Sequence, residues 1–221
     1  VVASRANDHV SAGCRAYQRG WAANLRGQAQ TVLDCADSAM RHWELEGSAE
    51  RERTFAIRLR GIGHFVAKRY QEAIILFSEC LELRRKISLE SIDVANALND
   101  LGRAKRLSDD YTGAEAGFRE ARQMAQKLGY EELEAASTGN LADVAIDQEK
   151  WHEAEKLARE GLFLAEKVHR QQLIASNCRY LAIALLHQNQ AGEALQHSLR
   201  AVEICDKLRS ADIIKSRATL A

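Results

Sequence analysis

The chain repeats itself at a nearly constant interval. Ala73, Ala114, Ala154 and Ala194 follow one another at 41, 40 and 40 residues, and such a period marks a stack of small units that each bury one face against the next. Twelve residues before each alanine stands a small residue, Gly61, Gly102, Ala142 or Ala182. Leu101, Leu141 and Leu181 precede three of these and Arg60 the other. Three residues before the alanines come Tyr70, Tyr111, Trp151 and Ala191; four after come Phe77, Phe118, Ala158 and Ser198; seven after come Cys80, Ala121, Gly161 and Ala201. The 221 residues include no proline and 13 glycines, so breakers are few. Ile74, Phe77, Leu81 and Ile87, and again Leu195, Leu199, Val202 and Leu208, recur at helical intervals between charges. The expectation is an all-α chain. Each unit is a hairpin in which helix A carries the Leu-Gly/Ala pair and helix B the later alanines, with the aromatic capping the turn.

The columns place repeats at about 51–88, 91–129, 131–169 and 171–209, with turns near Gly47–Glu50, Ser88–Ser91, Gly129–Glu131 and His169–Gln171. Upstream, 1–47 reads as a divergent hairpin turning at Gly20-Trp21 and continuing through Leu25, Val32, Leu33, Ala36, Ala39, Met40 and Trp43. Downstream, 211–221 starts a partial terminal helix. The expectation is one uninterrupted domain over 1–221. A start at Val1 without a methionine leads us to expect a piece of a longer protein.

The 31 basic and 31 acidic side chains balance, which argues against binding nucleic acid or an anionic membrane through total charge. No apolar run approaches the roughly 18 residues of a membrane span. Five widely spaced cysteines without a Cys-x-x-Cys pair suggest neither a disulfide framework nor a zinc site, and a reducing cytoplasm fits them.

Candidate chemistry is sparse. None of the seven histidines lies in a His-Glu-x-x-His pattern; Glu193 and His197, four apart, read as a surface pair rather than metal ligands. Gly61-Ile62-Gly63 follows no strand and lacks the rest of a phosphate loop, so helix packing explains it. Asp109-Asp110 and Glu131-Glu132 fall at turns, where acids favour a following helix N-terminus. Arg84-Arg85-Lys86 reads as a solvated helix end, and Cys80, Cys178 and Cys205 as small buried hydrophobes. No catalytic residue, metal or cofactor is expected.

The small, aromatic, Ala, Phe and Ala columns resemble the tetratricopeptide repeat (TPR), most clearly over residues 54–208, although Ile57, Leu98, Thr138 and Cys178 fill the usual Trp slot and the closing proline is missing. The period exceeds the basic 34 residues and is similar to the extended repeats of signalling scaffolds and STAND-type regulators. The resemblance implies a right-handed α-solenoid whose A helices line a concave groove. In this sequence that groove takes Phe55, Arg58, Leu59, Ile62 and Phe65; Asn96, Asn99, Asp100, Arg103 and Arg106; Asn140, Asp143, Ile146 and Asp147; and Ser176, Arg179, Tyr180, Ile183 and His187. Chaperone-binding members clamp a terminal carboxylate, but the corresponding positions here are Arg58, Ile62, Asp100, Ala136 and Asn140, and Asp100 repels a carboxylate.

The expected function is therefore a non-catalytic module that binds a peptide or protein segment, with no direct nucleic-acid or membrane contact. The alternative is the sensor of a larger STAND-type ATPase or transcriptional activator, binding a small inducer or restraining the ATPase. Ile213, Ile214 and Leu220 would have to cover the last apolar face, which makes self-association through that end a further expectation.

Overall fold

The structure, a computed structural model, describes residues 2–45, 47 and 50–208. Ten α-helices and no strand occur among the described residues: α1 (Val2–Leu25), α2 (Ala29–Leu45), α3 (Glu50–Val66), α4 (Tyr70–Ile87), α5 (Ile92–Arg106), α6 (Tyr111–Lys127), α7 (Glu131–Asp147), α8 (Trp151–Lys167), α9 (Gln171–His187) and α10 (Ala191–Leu208). Odd-numbered helices are the A members and even-numbered helices the B members. Packing divides the chain into two compact units, residues 1–110 and 111–221. In the first, consecutive helices from α1 to α5 pack on one another and α1 also meets α3; in the second, the same holds from α6 to α10, and α7 meets α9. The partial helix expected over 211–221, with Ile213, Ile214 and Leu220, lies outside the described residues.

The columns are core positions. Ala73, Ala114, Ala154 and Ala194 are buried, as are Phe77, Phe118, Ala158 and Ser198 and all four residues of the degenerate Trp slot. Volume is shared between facing columns. A Cβ on Gly61 would stand 2.6 Å from Cε1 of Phe77, whereas in the second unit the same two positions hold Ala142 and Ala158, members of one core cluster. Cys80, Cys178 and Cys205 are buried as expected. Burial pushes both the Cys80 and the Cys178 thiols up to about 11, so they stay protonated and do not act as nucleophiles near neutrality.

Every A helix ends in the same turn. Gly27, Lys68, Asp109, Glu149 and Asn189 all take left-handed backbone (φ 67°, 59°, 65°, 58° and 60°). The next residue's N–H donates five residues back, as in Gln28 to Ala23 (3.0 Å), Arg69 to His64 (2.9 Å) and Gln190 to Leu185 (2.9 Å). These are Schellman motifs, which satisfy helix-end carbonyls and favour glycine. The turn of the first hairpin is therefore at Gly27, not at Gly20-Trp21. Gly20 lies inside α1, where a Cβ would come within 2.6 Å of Leu59; it serves close helix packing rather than a turn. Lys68 holds the left-handed position with a side chain that is exposed, so Lys68→Gly should raise stability by about 0.5–1 kcal/mol. Equilibrium urea unfolding of the two forms checks this, and an unchanged or lower midpoint would contradict it.

Candidate functional site

In the first unit the A helices α1, α3 and α5 present a strip of aromatic and guanidinium groups locked from helix to helix. Tyr17 meets Phe55 (ring centroids 5.7 Å apart), and the Arg58 guanidinium lies 5.1 Å from the Trp21 ring. Arg58 Nε donates to Asp100 Oδ2 at 2.6 Å. Arg103 stands 4.0 Å from the other Asp100 oxygen and over the Phe65 ring at 4.8 Å. Arg51 reaches Asp93 at 3.5 Å. The regularity has a simple origin: Arg51 and Asp93, like Arg58 and Asp100, are separated by 42 residues, so equivalent turns of neighbouring A helices bring them level.

Burial sorts the expected groove residues here. Ile62 and Asp100 are buried; Phe55, Arg58, Phe65, Asn96, Asn99 and Arg106 are half-buried, and Arg103 is exposed. Burial alone would lower the Arg58 guanidinium, but the Asp100 carboxylate and its hydrogen bond hold it above its ordinary value. The Asp100 charge is thus committed to Arg58. Sequence reasoning missed Tyr17 and Trp21, which sit in the divergent hairpin where the columns fade.

In the second unit, α7 and α9 carry the remaining candidates. Asp143 and Tyr180 are buried; Asn140 and Arg179 are half-buried, and Asp147 and His187 exposed. The Arg179 guanidinium covers the Tyr180 ring at 4.5 Å. His187, at the end of α9, stacks flat on Trp151 at the head of α8 (3.8 Å, 1° between planes). This stack borders a cavity of about 590 Å³ whose walls include Glu149, His152, Glu153 and Gln188.

The other sequence candidates are placed as follows. His197 Nε2 is 3.6 Å from Glu193, which also binds Arg159 at 2.7 Å, one rung of an ion-pair ladder along the B helices that includes Arg119 with Glu153 and Arg200 with Glu166. Burial pushes the His197 imidazole down. Among the described residues no three His, Cys, Asp or Glu side chains cluster as metal ligands would. Glu131 and Glu132 pair with Lys167 (2.5 Å) and Arg170 (2.8 Å), and Asp110 with Lys105 (3.6 Å). Gly63, like Gly61, is a packing glycine, against Leu33.

Arg84 corrects the sequence reading. It is not a solvated helix end but 2% exposed, with Nη1 donating to the Asp93 carbonyl (2.6 Å) and Nε to Thr54 Oγ1 (3.4 Å). The residue that follows α4, Ser88, is extended, and α5 then starts on the Ser91 cap (Val94 N to Ser91 Oγ, 3.2 Å). That path brings the Asp93 carbonyl to the guanidinium. No described helix is long and apolar enough to cross a membrane.

The family model described as tetratricopeptide repeat matches residues 53–127 and 93–167, together more than half of the chain. No curated protein matches the chain by sequence. Similar solved structures include Bacillus thuringiensis PlcR in complex with the peptide PapR7 and DNA (12% identity, TM-score 0.77, covering 95% of this chain and 74% of that one). Another is a Rap protein complexed with Competence and Sporulation Factor (14%, 0.71, 96% and 63%). A third is a Pyrococcus horikoshii Signal Transduction ATPase with Numerous Domains that has a tetratricopeptide repeat sensor (14%, 0.67, 87% and 32%). At these identities the likeness is one of fold.

Proposed function

The chain belongs to the tetratricopeptide repeat family, and from that premise we propose that it is a non-catalytic recognition module whose A-helix faces bind an extended peptide or a segment of a partner protein. The observation that carries this reading is the strip in the first unit. Trp21, Arg58, Asp100, Arg103 and Phe65 fix one another through ring and ion contacts, so a ligand meets side chains whose rotamers are already chosen. Pre-organisation of this kind lowers the entropy cost of binding. Half-buried Asn96, Asn99 and Asn140 carry amides suited to an extended backbone. The peptides named with the PlcR and Rap structures support the same ligand class. Buried cysteines without disulfides support action in the cytoplasm.

The test is an array of random peptides probed with the native protein and with a variant carrying Asn99→Ala, Arg103→Ala, Asn140→Ala and Arg179→Ala, both checked for helicity by circular dichroism. Peptides retained by the native form should bind the variant at least about tenfold more weakly, the loss of a few charge-assisted hydrogen bonds. Equal retention would remove the A-helix faces as the site. A second reading, a sensor that binds a small inducer within a STAND-type regulator, is favoured by the cavity of about 590 Å³ beside Trp151 and His187, within the usual range of ligand pockets. A metabolite-induced rise in melting temperature that Trp151→Ala abolishes would support it.

A further inference from the structure

Arg84 occupies a place where the repeat does not call for an arginine. Eleven residues after each marker alanine the chain holds Arg84, Ala125, Ala165 and Cys205, and all four are buried. Its hydroxyl partner is equally out of pattern: Thr54 stands where the later A helices carry Ala95, Ala135 and Ala175, again all buried. Three repeats pack this slot with small, nearly apolar residues, so the fold does not require a guanidinium there. A buried charge is costly unless it is paired. Arg84 receives a carbonyl and a long hydroxyl contact, while its Nη2 is buried and has no hydrogen-bond partner.

The surroundings leave positive charge over. Arg51, Arg58 and Arg84 converge on this part of the first unit. The two carboxylates among them are already engaged, Asp93 with Arg51 and Asp100 with Arg58, and among the described residues no carboxylate lies at ion-pair distance from Arg84. The Arg84 and Arg51 guanidinium groups both lie against the Phe55 ring, at 5.7 and 5.6 Å from its centroid. Phe55 is half-buried and Arg51 exposed, so these two side chains stand between the buried guanidinium and solvent, and an incoming group reaches Nη2 when they move aside. The match for such a place is a carboxylate, which pairs with guanidinium groups through short, charge-assisted hydrogen bonds.

We propose that Arg84, with Arg51 and Thr54 around Phe55, receives the carboxylate of an acidic side chain of the bound peptide. This rests on the peptide-binding reading above and gives that ligand a chemical requirement. The ligand carboxylate draws Arg51 from half-buried Asp93 and, with Arg51 and Phe55 moved aside, bonds Arg84 Nη2, and the methylenes of the same acidic residue cover Phe55.

The experiment titrates the full chain with end-blocked hexaglutamate, end-blocked hexaglutamine and free glutarate, followed by calorimetry. It compares the native form with Arg84→Met, which keeps the stem volume, and with Arg51→Gln, which alters only an exposed group. Hexaglutamate should bind, hexaglutamine should not, and glutarate should bind at least about tenfold more weakly than hexaglutamate because it lacks the peptide contacts. Arg84→Met should weaken hexaglutamate at least about tenfold under conditions where circular dichroism shows the variant folded. Arg51→Gln should weaken it severalfold and decides the matter if Arg84→Met does not fold. Hexaglutamate affinity that neither substitution changes would overturn the proposal, as would glutarate binding as tightly as the peptide. If hexaglutamate fails while array peptides of other composition bind the A-helix faces, this assignment falls and the recognition reading stands; if no peptide binds, both fall.

Discussion

Asp100→Ala should cost the residue 1–110 unit about 3 kcal/mol of stability, within the range for breaking a buried ion pair from one side. The pair is well shielded, with side-chain exposures of 17% for Arg58 and 8% for Asp100 and a separation of 2.6 Å. Without the carboxylate, Arg58 keeps its charge, because no accessible pH neutralises a guanidinium. It is then left buried between Trp21 and the vacated site. Asp100→Asn, which keeps an acceptor but no charge, should cost less, and the double change Arg58→Met with Asp100→Leu should recover most of the loss. Urea unfolding followed by circular dichroism reads all three. A loss below about 1 kcal/mol for Asp100→Ala would mean that the pair behaves as a solvated surface bridge, and the strip would lose its claim to be pre-organised.

Gly61→Ala should destabilise the same unit by about 2 kcal/mol through overpacking. The added Cβ would lie 2.6, 2.8 and 3.2 Å from three ring carbons of Phe77, and Phe77, at 2% exposure, has nowhere to retreat. Phe77→Ala alone should cost about 3 kcal/mol or more by leaving a cavity. Combined, the two substitutions recreate the Ala142 and Ala158 arrangement of the second unit and should cost less than their sum by about 1–2 kcal/mol, the coupling expected of touching residues. A double-mutant cycle with no coupling would show that the two columns do not share one volume.

Much of this architecture could be read from the chain alone. The period locates the turn inside each hairpin, and the heads of the B helices α4, α6, α8 and α10 fall on Tyr70, Tyr111, Trp151 and Ala191, the column that marks it. Columns are legible because burial of an alanine or phenylalanine against its own hairpin partner depends on residues a fixed distance away. The left-handed turn residues were not legible. Only Gly27 among the five is a glycine, and the hydrogen bonds of the Schellman motif override the preference of Lys68 or Glu149 for right-handed backbone. Gly20 misled for the complementary reason, since a glycine that admits Leu59 looks in sequence like one that breaks a helix.

The candidate site divides along the same line. The repeat resemblance names Phe55, Arg58, Asn96, Asn99 and Arg103 as candidates on the A helices, and the structure adds which of them are engaged. That Asp100 faces Arg58 rather than a ligand, that Trp21 supports the guanidinium, and that Arg84 lies buried beside Phe55 all depend on distances between helices. Even so, Arg84 interrupts a column of Ala125, Ala165 and Cys205, a signal that charge patterning along one helix hides and alignment of the repeats reveals. The sequence by itself determined the hairpins, their order and their buried columns, because those follow from period and from the size of side chains. Only the tertiary structure decided which charges are paired, which are left over and where the aromatic rings stand against them, because Coulomb and packing energies vary over ångströms that no spacing along a chain records.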